Sequence, residues 1–150
     1  MQIVLFQPDI AGNVGSIIRL AACFNVKLNI ILPCGFPFDT KKIRRSALDY
    51  IDHVKLLKHD NWLNFIEYKN TQYPDSRIIL FTTKSQESHY NHIYQKNDIL
   101  LFGSESSGVP EFVHKSVEQK LSIIMQNNMR SLNLAMSVAM ALGEANKINL

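Results

Sequence analysis

The sequence predicts an α/β protein: an open, mostly parallel sheet with helices on both faces. Three observations carry that expectation. Short apolar runs recur at 3–6, 28–32, 78–81, 99–102 and 121–124, each bounded by polar residues, glycine or proline. Segments with helical spacing fall between them. Runs such as Ile78-Ile79-Leu80-Phe81 and Ile99-Leu100-Leu101-Phe102 are apolar without a break. Strands covered on both faces by crossover helices read this way, whereas half-solvated strands alternate.

Taken in order, the run at 3–6 is the first strand, and a helix is expected over 14–24 with Asn13 as its N-cap, since an Asn side chain accepts from the free N–H groups of a first turn. The run at 28–32 is the second strand. Helices follow over 40–48 and 61–68, and residues 69–76 (KNTQYPDS) read as a surface connection to the strand at 78–81. After the strand at 99–102, Pro110 is placed to be the first residue of a short helix. Beyond the strand at 121–124, Ser131 is expected to cap a last helix over 132–145. That helix carries Leu132, Ala135, Met136, Ala139 and Leu142 on one apolar face.

A chain of 150 residues, 46% apolar, suits a single domain over 1–150 with one core. Its 16 Lys and Arg against 13 Asp and Glu leave +3, which permits an anionic partner but must be concentrated locally to hold one. Cys23 and Cys34 form no CxxC pair and suggest no disulfide framework, so a reducing cytoplasm is expected. The start, MQIVLFQPDIAGN, has no basic region before its apolar run, and no stretch approaches the ~20 apolar residues that span a bilayer. No membrane association is expected.

In an open parallel sheet, ligands bind beyond the carboxyl ends of the strands. Three strand-end loops are rich in polar and small residues. The first runs from Pro8 to Ser16 and leads to Arg19. At 3.6 residues per turn, Asn13 and Arg19 lie about 120° off a common face, so they border one pocket only if Asn13 projects off the helix end as a cap. The second, Gly103-Ser104-Glu105-Ser106-Ser107-Gly108-Val109-Pro110, has glycines that allow positive φ and the close backbone approach a flat nucleoside needs. Val109 and Pro110 stand where a P-loop would continue with Gly-Lys-Ser/Thr, and the first loop lacks GxGxxG. Neither a nucleoside triphosphate nor a dinucleotide is supported. The third runs from Met125 through Ser131 and Asn133 into the last helix.

Together these loops, as PDIAGNVGSIIRLAA, LFGSESSGVP and IIMQNNMRSLNLAMSVA, resemble the three ordered motifs of the SPOUT class of S-adenosylmethionine-dependent RNA methyltransferases. FDTKKIRRSALDY and FTTKS extend the likeness over nearly the whole chain, closest to the short bacterial branch that methylates the tRNA wobble ribose. Departures stand at Ile124, where proline is usual, and at Ala135 and Met136, where serine and asparagine are usual.

The resemblance implies a deep C-terminal trefoil knot, which general rules of chain connection would not suggest. It further implies a homodimer that completes the active site, S-adenosylmethionine as methyl donor, and tRNA, with leucine isoacceptors expected, as partner. By the same likeness, Phe81, Thr82, Gly103, Ile123, Ser131 and Leu132 would hold the cofactor. Arg19 would be catalytic, assisted by Asn13, Glu105, Ser131 and Asn133. A guanidinium with a pKa above ~12 is better suited to holding phosphate and a developing oxyanion than to accepting a proton. The in-line transfer requires no metal. A SPOUT enzyme for rRNA or another tRNA position, and an inert RNA-binding module of the same fold, are the alternatives.

Lys41, Lys42, Arg44 and Arg45 are the densest positive cluster. Beside the methyltransferase motifs, Lys41, Arg44 and Arg45 read as RNA contacts, and Tyr50 either stacks on a base or packs as a half-buried aromatic. His89 and His92 share a helical spacing but lack a third ligand or HExxH, and are expected at the surface. Met136 and Met140 read as core or dimer packing.

Overall fold

The computed structural model describes residues 1–38, 43, 47–127, 129 and 131–149. Six strands, β1 (Gln2–Phe6), β2 (Lys27–Ile31), β3 (Leu56–His59), β4 (Ile78–Phe81), β5 (Ile99–Phe102) and β6 (Gln119–Leu121), form one sheet in the order β3-β2-β1-β5-β4-β6. Every pairing is parallel. The described helices are α1 (Ala11–Cys23), α2 (Trp62–Gln72), α3 (Glu111–Ser116) and α4 (Leu134–Ala145), with 3-10 turns at Leu48–His53 and Asn146–Asn149.

Alternation along each strand divides the core into two layers. Ile3, Leu5, Leu28, Ile30 and Leu100 pack with Val14, Ile17, Ile18 and Ala21 of α1 and Val138, Ala141 and Leu142 of α4. Val4, Phe6, Ile31, Ile99 and Leu101 point the other way, onto Trp62 and Phe65 of α2 and Val113 of α3. Helices therefore cover both faces, which is why β1 and β5 are buried at every position. No helix among the described residues is long and apolar enough to cross a membrane.

The strand order creates one switch point. β1 leads through α1 to β2 on one side of it, while its other neighbour β5 leads through α3 to β6 on the far side. The loops after β1 and β5 thus diverge and open a crevice at the carboxyl edge.

Several boundaries differ from expectation. β3 was not expected: Leu56-Leu57-Lys58-His59 has only two apolar residues, and its place at the sheet edge needs no more. β6 lies earlier than 121–124, because β4, its neighbour in the sheet, ends at Phe81 opposite Leu121. In α1, Asn13 is inside the helix rather than at its cap, which is Ile10. Pro110 is the cap residue of α3, one position before the helix. α2 runs to Gln72 and absorbs half of the expected surface connection. α4 begins at Leu134 with Asn133, not Ser131, as its N-cap. Its inward face is Leu134, Val138, Ala141, Leu142 and Ala145, while Met136 and Met140 face outward. Of the expected helix over 40–48, Ile43 and Ala47 are helical and fully buried, and Leu48 opens the 3-10 turn.

Candidate active site

A cleft of about 560 Å³ opens at the carboxyl edge of β4, β5 and β6. Its floor is apolar: the Phe81 and Phe102 rings stack with centroids 4.8 Å apart and planes 15° apart, and Ile123, Leu132 and Leu134 add to it. Each wall comes from a strand-end loop. Thr82 to Lys84 follow β4, Ser104 to Val109 follow β5, and Met125 with Ser131 to Asn133 precede α4. Phe81, Thr82, Gly103, Ile123, Ser131 and Leu132, which the family resemblance assigns to the cofactor, all line this one space.

The second loop closes on itself. Ser104 N donates to the Gly108 carbonyl at 3.0 Å, and Gly108 N donates back at 2.9 Å. Gly108 takes φ 69°, as expected of it. The reason for Gly103 is different from the expected one. A Cβ there would stand 2.3 Å from the Gly108 carbonyl carbon, so the close approach that excludes a side chain is made by the loop's own backbone.

Along the side of the cleft runs a chain of side-chain hydrogen bonds whose direction is determined. Asn133 Oδ1 accepts from Ala135 N at 2.9 Å and Met136 N at 3.3 Å, capping α4. Its amide nitrogen is therefore turned outward and donates to Asn13 Oδ1 at 2.9 Å. Asn13 must then present its own amide nitrogen to Glu105, donating to Oε1 at 2.8 Å. The second oxygen, Glu105 Oε2, accepts from Asp9 N at 2.7 Å. Asn13 is buried and reaches the cleft from within the first helical turn, so no cap geometry is required. Among the described residues, Asn13, Glu105, Ser131 and Asn133 of the expected catalytic group are brought together.

Arg19 is not. It is exposed on α1, its guanidinium lies over the Tyr50 ring, and it is absent from the cleft lining. The physical reason is the angular one: with Asn13 as a helical residue, Arg19 stays about 120° around the helix from it. Tyr50 is half-buried in the 3-10 turn. Lys41, Arg44 and Arg45 lie outside the described residues.

Residues the sequence left unassigned complete the picture. Asp9 Oδ2 accepts from Ser106 N at 2.9 Å and Ser106 Oγ at 2.7 Å. These two bonds, the side-chain one first, hold the Asp9 carboxyl below its ordinary range. Lys84 lines the cleft mouth, its N–H donating to Thr82 Oγ1 at 3.2 Å. The Cys34 thiol is pushed up to about 11, first by burial and then by the negative Glu105, against the opposing charge of Lys58. His89 corrects another expectation: it is fully buried, between Phe81 and Tyr90, because the 82–98 connection folds back onto the sheet instead of forming a surface helix. Among the described residues, no group of three or more His, Cys, Asp or Glu side chains converges on a metal-sized site.

Residues 1–143 match the SpoU rRNA Methylase family. A tRNA (cytidine(34)-2'-O)-methyltransferase of Beijerinckia indica is 41% identical over 144 residues, which is 95% of this chain and 88% of that one. A solved structure described as giving insight into the 2-OH methylation of C/U34 on tRNA superposes with a TM-score of 0.92 at 37% identity, over 99% of this chain and 95% of its own. The SpoU methyltransferase AviRb of Streptomyces viridochromogenes, solved with AdoMet, shares the fold at a TM-score of 0.86 and 19% identity, over 99% of this chain and 57% of that one. With the family match covering nearly its whole length and relatives of this identity, the chain belongs to the SpoU methylase family.

Proposed function

We propose that this protein is a tRNA 2′-O-methyltransferase that modifies the ribose of the wobble nucleotide, cytidine or uridine 34, with leucine isoacceptors as its tRNAs and S-adenosylmethionine as donor. The reading extends to a single methyltransferase domain over residues 1–150, a C-terminal trefoil knot, a cytoplasmic location and a homodimeric state. The observation that carries it is the convergence of three separate motif loops on one cleft that also holds the Asn133–Asn13–Glu105 chain.

The cleft fits the donor. A volume of about 560 Å³ is in the range of nucleoside and cofactor sites. The apolar floor of Phe81, Ile123 and Leu132 suits a flat purine, and the turned backbone at Gly103 with Thr82 and Ser131 offers polar groups at its edge. When bound there, S-adenosylmethionine supplies a methyl group activated on a sulfonium.

The chain's own residues are left to orient and to stabilise. Glu105, with both oxygens already accepting, is fixed in place and contributes negative charge beside a cationic ligand. Asn13 and Asn133 present amide groups whose rotation is settled by their neighbours, so they can position a ribose without reorganising. Arg19 would hold phosphate and stabilise the developing oxyanion. Its direction, away from its own cleft, supports a role at the cleft of a second copy. Outward-facing Met136 and Met140 provide apolar surface for such a pairing.

The test is direct. Purified protein is incubated with labelled donor and bulk tRNA, and the product nucleosides are mapped by mass spectrometry. A ribose-methylated pyrimidine at position 34 is expected; a label on a base, or on another nucleotide, overturns the assignment. Sedimentation equilibrium should give twice the 17.2 kDa chain mass.

A further inference from the structure

We propose that Asp9 is a positioning residue for methyl transfer, clamping the two loops that diverge at the switch point so that Glu105, Asn13 and Asn133 stay aligned along the cleft. The proposal rests on the methyltransferase reading above and names a residue that neither the motifs nor the cleft lining single out.

The sheet itself does not hold these loops together. β1 and β5 are paired through Leu5 and Phe102, after which their loops part toward opposite sides of the sheet. Beyond the ladder their mutual offset has to be set by side chains. Asp9 and the Glu105-Ser106 pair do this reciprocally. The backbone N–H of Asp9 donates to Glu105 Oε2 at 2.7 Å, while the Asp9 carboxylate accepts from the Ser106 N–H at 2.9 Å and the Ser106 hydroxyl at 2.7 Å. Each loop thus supplies an acid that takes protons shared by the other. Bonds to an ionised acceptor are shorter and stronger than neutral ones, so the clamp is firm for its size.

A third loop closes on the same residue. Gly35 N donates to the Pro8 carbonyl at 2.9 Å, and a Cβ on Gly35 would lie 2.9 Å from Asp9 Cα. Asp9 is therefore the node of the loops after β1, β2 and β5. Its carboxylate is spent on Ser106 and it does not line the cleft, whereas Glu105 and Ser106 do. It acts through them. Without the Asp9 carboxylate, Ser106 loses both of its bonds to the first loop, and the loop from Ser104 to Gly108 is tied there only through Glu105, by the Asp9 N–H and Asn13.

The experiment compares the full-length wild type with Asp9→Ala, Asp9→Asn, Ser106→Ala and the double variant Asp9→Ala with Ser106→Ala. Turnover on tRNA, affinity for S-adenosylhomocysteine and thermal unfolding are measured for each. Misplacement by a fraction of an ångström predicts a kcat lower by about 10- to 100-fold in Asp9→Ala, with cofactor affinity and melting temperature close to wild type. Asp9→Asn keeps an acceptor oxygen and should recover most of the loss. The double variant should fall no further than Asp9→Ala, because both changes break one interaction.

A folded Asp9→Ala protein with wild-type kcat, or losses that multiply in the double variant, overturns the proposal. The side-chain amide signals of Asn13 and Asn133 in ¹⁵N NMR decide the positioning separately from the reaction. They should shift in Asp9→Ala, and unchanged signals refute the clamp. Wild-type protein that leaves tRNA unmethylated would instead refute the substrate assignment, with the positioning still judged by those signals.

Discussion

The Arg19 guanidinium carbon stands 5.3 Å from the centroid of the Tyr50 ring. This contact joins α1 to the 3-10 turn that follows the basic stretch of the sequence, and it gives the guanidinium a fixed platform outside its own cleft. Arg19→Ala is expected to abolish methylation while S-adenosylhomocysteine still binds, read by turnover and calorimetry. Arg19→Lys restores charge without the planar fork and should be poor as well. Tyr50→Phe keeps the ring face and should be close to wild type. Tyr50→Ala removes an exposed cation–π contact of about 0.5–1 kcal/mol and should cost roughly two- to fivefold in kcat/KM. Equal turnover in Tyr50→Phe and Tyr50→Ala would remove the platform role.

Asn133 serves two ends at once, capping α4 through Oδ1 and donating to Asn13 through its amide nitrogen. The two roles are separable. Asn133→Asp keeps the cap, since Asp caps as well as Asn. It loses the donor and sets a carboxylate oxygen against Asn13 Oδ1. Stability should hold, and kcat/KM should fall by about 10- to 100-fold, the size expected for a broken hydrogen bond in a charged network. Asn133→Ala loses the cap too and should cost a further ~1 kcal/mol of stability. Urea unfolding and turnover on the same samples distinguish the two, and full activity in Asn133→Asp would show that the chain to Asn13 has no part in the reaction.

How far the sequence reveals this site depends on the distance over which each feature is set. The uninterrupted runs of β4 and β5 are local, so both strands coincide with their expected bounds. The six residues that the family resemblance assigns to the cofactor line one cleft because β5, β4 and β6 are neighbours in the sheet, an order that differs from their order in the chain. The Asp9–Ser106 bond spans 97 residues and follows only from β1 lying beside β5, which no local pattern encodes. For α4, apolar residues occur on more than one side, and periodicity alone picked the stripe through Met136 although Leu134 and Val138 are the buried ones. His89, with no third ligand or HExxH beside it, reads as a surface residue, yet its ring fills the layer beside Phe81.

Gly103 and Gly108 lack side chains for different reasons, and alanine at each should report it. At Gly103 the new Cβ meets three backbone atoms of Gly108 within 2.7 Å, so the loop must open. Overpacking of that kind costs about 1–3 kcal/mol and here also dismantles the cleft wall. At Gly108 the Cβ meets nothing within 4 Å, and only the φ of 69° is penalised, by about 1 kcal/mol. Gly103→Ala should therefore lose S-adenosylhomocysteine affinity and stability together, whereas Gly108→Ala should lose a little stability and largely keep affinity. Calorimetry and urea unfolding check both, and the reverse order would show that the backbone approach is not what excludes a side chain at Gly103.

Stability should fall on mild acidification, and His89 should account for part of it. The ring is fully buried, and burial pushes its pKa below the ordinary 6.5. The Ser122 carbonyl and Glu144 pull it upward, Lys147 downward, and burial outweighs them. His59 is lowered in the same way by burial, with Asp60 opposing. A histidine whose folded pKa lies below its unfolded value binds its proton more readily in the unfolded chain. Its stabilising effect is complete above about pH 6.5 and declines as the pH drops below that, by at most about 1.4 kcal/mol per pH unit for each group. His89→Phe keeps a ring against Phe81 and Tyr90 and removes one titration, so its unfolding free energy should decline less between pH 7 and pH 5 than that of the wild type. Urea unfolding at the two pH values measures the difference, and identical declines in the two proteins would mean that His89 is charged or hydrated in the folded state.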